Sequence, residues 1–176
     1  MTPKSVIGTA ALHELVQTAR AAPSGDFVEV GVYKGGSAAH LAGVAKDKAR
    51  RLFLFDTFTG IPFADPDLDH HKVGDFNDVS LEEVRAALPE ATIAAGVFPN
   101  TLKYCPDLGP IALAHIDCDQ YKSVRESAIA LVPLMAPGGV MVFDDYNVLN
   151  GARKAVDEQF GKRVEVSPCG KAWVRF

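Results

Sequence analysis

The chain is expected to fold as an α/β protein, with a mostly parallel sheet covered by helices on both faces. Three observations point there. Short apolar runs rich in β-branched residues alternate with segments of helical periodicity along the whole chain. The runs are continuously apolar rather than alternating, as strands buried on both faces require. Glycines and unusual polar residues gather where the runs end, at the edge of an open α/β sheet that binds ligands.

Taken in order, Thr9 to Ala22 carries Leu12, Leu15, Val16 and Ala19 at helical spacing and stops at Pro23-Ser24-Gly25, which predicts a lead-in helix within residues 1–25. Strands are expected at Phe27 to Val32, Arg51 to Asp56, Ile111 to Asp117 and Val140 to Asp144, with a weaker one at Thr92 to Val97. Helices are expected between them at Ser37 to Lys46, Ser80 to Leu88, Tyr121 to Leu131 and Asn150 to Phe160, and Ser80 with Glu83 has the form of a capping box. Arg163 to Val166 and Ala172 to Phe176, separated by Ser167-Pro168-Cys169-Gly170, predict a closing hairpin. Thr57 to Val79 has no periodicity, and a loop that long in a compact domain is usually functional or disordered.

With 176 residues, 48% of them hydrophobic, one domain covering 1–176 is expected, burying about 70% of the unfolded chain's surface. The formal charge of -4 and the absence of a long basic run argue against a nucleic-acid partner. Three cysteines without C-x-x-C spacing give neither a disulfide framework nor a zinc site, so a reduced, cytoplasmic setting is expected. No apolar run has the length of a membrane span, and no membrane partner is expected.

The strand ends carry the chemistry. Glu29-Val-Gly-Val-Tyr-Lys-Gly-Gly-Ser37 is a strand running into a glycine-rich turn and a helix. Gly31 and Gly35 are expected to let the backbone approach a ligand, and Ser37 to satisfy N–H groups at the helix start. Asp56 ends the second strand, where an acid accepts hydrogen bonds from the ribose of an adenosyl group; its alternative is a turn cap before Thr57. The glycine spacing is not that of a pyrophosphate cradle, which favours S-adenosylmethionine over a dinucleotide. Asp117, Asp144 and Asp145 end two further runs, and three carboxylates cannot share a small volume ionised without a cation, most simply Mg²⁺. The alternative is that they cap the following helices and point apart. His70 and His71 read as solvated loop, His115 as an interior hydrogen-bonding residue, Cys118 as inert and turned from its Asp neighbours, and Trp173 as core.

Together with Phe55-Asp-Thr-Phe, Gly74-Asp-Phe, His115-Ile-Asp-Cys-Asp-Gln-Tyr, Pro137-Gly-Gly and Phe143-Asp-Asp-Tyr, this pattern resembles the macrocin O-methyltransferase (TylF-like) family from about Asp26 onward. The resemblance implies a Rossmann-like class I methyltransferase domain, with a seven-stranded sheet whose last strand is antiparallel. It implies an O-methyltransferase dependent on S-adenosylmethionine and Mg²⁺, acting on a hydroxyl of a sugar or other small natural-product acceptor. Carried onto this chain, it implies Asp117, Asp144 and Asp145 as metal ligands, Asp119 as general base, Glu29, Gly31, Tyr33 and Ser37 at the methionine end of the cofactor, and Asp56 with Thr57 at the ribose. Family members usually carry an additional N-terminal region over the acceptor. Here the loop at 57–79 with a neighbouring subunit, as in a homodimer, or a large acceptor is expected to close the site. Two other readings are open: a cofactor-binding module without its own acceptor site, and an aspartyl phosphatase using Asp117-Cys-Asp119.

Overall fold

The computed structural model describes residues 3–176. Seven strands, β1 (Asp26–Val30), β2 (Leu52–Asp56), β3 (Thr92–Ala95), β4 (Ile111–Ile116), β5 (Met135–Phe143), β6 (Glu165–Val166) and β7 (Ala172–Arg175), form one sheet in the order β3-β2-β1-β4-β5-β7-β6. The pairs β1 with β2, β1 with β4, β2 with β3 and β4 with β5 are parallel; β7 runs antiparallel to β5 and β6. This is the expected mixed sheet with its antiparallel last strand.

Among the described residues five α-helices flank it: α1 (Thr9–Ala21), α2 (Gly36–Asp47), α3 (Leu81–Ala87), α4 (Tyr121–Leu131) and α5 (Asn150–Phe160). Every residue of β1 and β4 is buried. Alternate strand residues feed two separate cores. Val28, Phe53, Phe55 and Met141 pack with Val124, Ala128 and Leu131 of α4 and Val156 of α5. Phe27, Leu54, Leu113 and Val140 pack with Leu15 of α1, Leu41 and Val44 of α2 and Val84 of α3. The continuously apolar runs follow from this, because each strand has two faces to bury. No helix among the described residues is long and apolar enough to cross a membrane.

Local details differ from expectation for identifiable reasons. Strand β5 starts at Met135, upstream of the expected Val140, because Pro137-Gly138-Gly139 is absorbed as an irregularity between the Ile111 and Leu113 pairings. Only half of the Ser80 capping box forms: Ser80 Oγ accepts the Glu83 amide at 3.2 Å, while its hydroxyl donates to Glu82 Oε2 at 3.3 Å. The cap of α4 comes from far away. Asp69, in the long loop, accepts the Tyr121 amide at 2.8 Å. The loop is further pinned by Ile61 donating to Asp75 O and Gly74 donating to Ile61 O, both at 2.9 Å.

The rear edge of the sheet is tied by Asp26. Its Oδ1 accepts Arg51 Nε at 3.0 Å, and its Oδ2 accepts Arg51 Nη2 at 2.6 Å and the Gly109 amide at 2.8 Å. One buried carboxylate thus joins the starts of β1 and β2 to the loop before β4. Asp26→Ala strands the Gly109 amide and leaves Arg51 half its partners, so urea unfolding should show a loss of about 1–3 kcal/mol with an unchanged slope.

Candidate active site

Strand β1 lies between β2 and β4, so the connections leaving the C-terminal ends of β1 and β4 turn to opposite sides, and a crevice opens between them. Its floor is the turn from β1 to α2. A side chain at Gly31 (φ 88°) would collide with the carbonyl of Asp117, so this glycine is required by the close passage of the β4 end. The close approach expected to admit a ligand is therefore made by the protein's own backbone. Gly35, in the left-handed conformation, is the N-cap of α2. The helix begins at Gly36, and Ser37 lies buried inside it rather than capping it.

Asp56 organises this turn. Its Oδ2 accepts the amides of Val32 at 2.7 Å and Tyr33 at 2.9 Å, and its Oδ1 accepts the Phe58 amide at 2.7 Å. Tyr33 and Phe58 both have positive φ (49° and 54°), a conformation that costs about 1–3 kcal/mol for a non-glycine residue. Amide bonds to an ionised carboxylate are strong enough to offset that. Turn-capping, one of the two roles open to Asp56, is thus present, and the residue still borders the cleft. The Tyr33 hydroxyl donates to Asp78 Oδ1 at 2.8 Å and Lys34 Nζ to Asp78 Oδ2 at 2.5 Å, so the end of the long loop is fastened to the glycine turn.

Of the predicted cofactor residues, Gly31, Tyr33, Ser37, Asp56 and Thr57 line the cleft. Glu29 does not. It is fully buried, and its Oε1 is hydrogen-bonded to His115 Nδ1 at 2.7 Å, because Glu29 and His115 are register partners on β1 and β4. The interior role expected for His115 is seen in this bond. The long loop covers the cleft with Ile61, Phe63 and Phe76, and the His71 ring packs edge-on against Phe76 at 4.9 Å. Residues Lys4 to Ile7 also border the cleft. A side chain at Gly36 would run into the Ser5 backbone, which is how closely this segment crosses the turn. Nothing in the local pattern of residues 3–7 signals that contact.

The acids divide into two overlapping groups. Oxygens of Asp117, Asp119 and Asp145 lie within 4.8 Å of one another, and so do ligand atoms of His115, Asp117 and Asp144. Asp117 belongs to both. Asp144 faces His115, with Oδ1 3.7 Å from Nε2, and meets the ammonium of Lys171. Enclosure and mutual repulsion push the carboxyls up from an ordinary 3.8: Asp117 to about 7, first through burial, and Asp119 to about 8, through burial and then Asp145. Asp145 is also raised, chiefly by burial. Lys171, which the sequence reading overlooked, is lowered to about 8 by burial. Its one outward sign is a lone lysine between Gly170 and the apolar β7. Asp119 has φ 58°, so this cluster too is held in a strained turn. Cys118 lines the cleft near Ser127 Oγ (3.9 Å), and burial pushes its thiol well up, which keeps it protonated and unreactive.

An all-oxygen set of closely spaced carboxylates suits a hard divalent cation. Residues 3–168 match the family described as macrocin-O-methyltransferase (TylF). The chain is 32% identical over 155 residues to the 8-demethyl-8-(2,3-dimethoxy-alpha-L-rhamnosyl)-tetracenomycin-C 4'-O-methyltransferase of Streptomyces olivaceus, and 29% identical over 155 residues to the demethyldecarbamoylnovobiocin O-methyltransferase of Streptomyces niveus. Each alignment takes in 78% of this chain and 59% of the relative, so the chain spans under two thirds of the length of either. Among solved structures, the O-methyltransferase NovP superposes with a TM-score of 0.82 at 26% identity, covering 97% of this chain and 81% of that one. With its fold and almost its whole length in agreement, the chain belongs to the macrocin O-methyltransferase (TylF) family.

Proposed function

We propose that this protein is an O-methyltransferase that uses S-adenosylmethionine and Mg²⁺ to methylate a hydroxyl of a sugar or other small natural-product acceptor. The observation that carries this reading is the position of three carboxylates, Asp117, Asp119 and Asp145, beside the glycine-turn cleft on one sheet edge. Support for the acceptor class comes from the two relatives, whose names describe O-methylation of a rhamnosyl tetracenomycin and of demethyldecarbamoylnovobiocin.

In this reading Gly31, Tyr33 and Ser37 border the methionine end of the cofactor, and Asp56 with Thr57 borders its ribose. Asp56 does so while holding the turn, since a carboxylate has lone pairs beyond those given to three amides. The residues that would hold the cation are Asp117 and Asp145, which stand in one compact group with Asp119, and Asp144, which reaches Asp117 from the His115 side rather than within that group. When bound, the cofactor supplies an electrophilic methyl group and the cation lowers the pKa of the acceptor hydroxyl. Asp119 takes the hydroxyl proton on its carboxylate, a role its enclosed, acid-crowded setting suits because the group is a better base there than in water. Phe63 and Phe76 shield the cleft from water, and Asp78 fastens that cover to Tyr33.

Calorimetry should detect binding of S-adenosylhomocysteine, the demethylated product, and Asp117→Asn should leave that binding within a few-fold while removing Mg²⁺-dependent methyl transfer to a hydroxylated acceptor. Undiminished turnover in EDTA would sink the metal role. A protein that binds product and Mg²⁺ but methylates nothing in a broad acceptor screen would instead be a cofactor-binding module. For Asp119→Asn, kcat should fall by roughly 10²- to 10⁴-fold with product affinity kept; a fall below tenfold would remove it as the base.

The raised carboxyls also fix a pH dependence. Raised to about 7 and about 8, Asp117 and Asp119 retain protons in the folded protein that the unfolded chain has released, so their contribution to stability is full at acid pH and is lost as pH rises from about 4 to about 8. Lys171, lowered to about 8, acts in the opposite sense and only above that window. A divalent cation replaces those protons, so the melting-temperature gain from Mg²⁺ over EDTA should be larger at pH 8 than at pH 6. An equal gain at both values would contradict cation binding by this cluster.

A further inference from the structure

The sheet edge holds a buried cation that this chemistry does not employ. Lys171, in the turn between β6 and β7, is 1% exposed, and its ammonium sits on Asp144 Oδ1. A lysine buried this far stays charged only with a carboxylate beside it, because an unpaired ammonium in a low-dielectric interior is very costly. Asp144 is that carboxylate. It also belongs to the group His115, Asp117 and Asp144, which is compact enough to hold a metal ion. An ammonium and a divalent cation repel each other too strongly to share one carboxylate oxygen at contact.

A second observation concerns two other buried acids. Glu29 Oε2 and Glu14 Oε2 are, together with Lys171 Nζ and Asp144 Oδ1, buried polar atoms without a hydrogen-bond partner among the described residues, so the ion pair with Asp144 leaves the lysine free to donate elsewhere. Such oxygens are uncommon in folded proteins, and each calls for a donor or an ion. Glu14 lies on α1 and Glu29 on β1, and the negative charge of each acts on the Lys171 ammonium. The flexible four-carbon stem of a lysine lets its head group change partner without moving the backbone.

We propose that Lys171 is a two-position residue that competes with the divalent cation for Asp144, resting on Asp144 when the cation is absent and turning to Glu29 and Glu14 when the cation takes Asp144. In this role Lys171 is a positioning residue. It neutralises one acid of the empty cluster and, by competing, sets how tightly the cation is held. The two orphaned glutamate oxygens acquire their donor in the loaded state. This inference rests on the metal reading above and goes beyond it, since it concerns a residue that touches neither cofactor nor acceptor.

The test is calorimetric titration of Mn²⁺, as the probe cation, into the full chain saturated with S-adenosylhomocysteine. Lys171→Met removes the competitor and should tighten Mn²⁺ binding at least about tenfold with product affinity unchanged. Glu14→Gln weakens the second seat and should loosen Mn²⁺ binding several-fold in the wild type, yet have no further effect in the Lys171→Met background. A Lys171→Met protein that melts cooperatively and binds product normally, but holds Mn²⁺ no tighter, would overturn the inference and leave the metal reading standing. Where Lys171→Met does not fold, Glu14→Gln decides alone: loosened binding supports the competition and unchanged binding overturns it. A wild type that binds no Mn²⁺ overturns the metal reading itself, and this inference with it.

Discussion

Everything at the functional edge depends on gathering acidic groups where water is scarce. Asp117, Asp119, Asp144 and Asp145 are brought there because β4 and β5 are parallel neighbours that end side by side, with Ile116 in register with Phe143. Parallel pairing places both strand ends, and the polar residues just past them, on one edge. Like charges so placed cannot all ionise cheaply. The molecule answers by raising the pKa of three of them, Asp117 to about 7 and Asp119 to about 8, and setting a buried lysine against the fourth. A site organised this way carries an electrostatic cost that uptake of a cation, the role proposed for it, would relieve.

The cleft beside this cluster is built from backbone more than from side chains. Asp56 has three amides to hold, and those amides fix the path of the turn over which a ligand would lie. The cover is assembled from two places in the chain, residues Lys4 to Ile7 and the loop from Ile61 to Phe76. The loop has no secondary structure of its own over most of its length, yet it is anchored at both ends of the cleft. Asp69 caps α4 on one side and Asp78 holds Tyr33 and Lys34 on the other. Long loops of this kind are tolerated when their polar groups find fixed partners, and here those partners belong to the site.

The order of elements was legible because each rests on contiguous residues. Apolar runs with buried faces marked β1, β2, β4 and β5, and helical periodicity marked α4 and α5 to the residue. The acids of the edge were legible for the same reason, since they stand directly after those runs. The start of β5 was not, because Pro137-Gly138-Gly139 reads as a break unless the partner strand that absorbs the irregularity is known. Nor was the inward turn of Glu29. Its neighbours Val28 and Val30 are equally compatible with a residue facing a ligand or facing His115, and only the register with β4 distinguishes them.

The sequence by itself determined the α/β class, the positions of the strand ends and the set of acids displayed there, because hydrophobic periodicity and turn chemistry act over a few residues. Tertiary structure decided which acids face one another, that Asp56 would serve a turn 24 residues earlier, that Asp69 would cap a helix 52 residues later, and that Lys171 would be drawn inside against Asp144. Those pairings are made by burial. A charge removed from water must find a partner at whatever distance along the chain the fold supplies one, and that distance leaves no local mark.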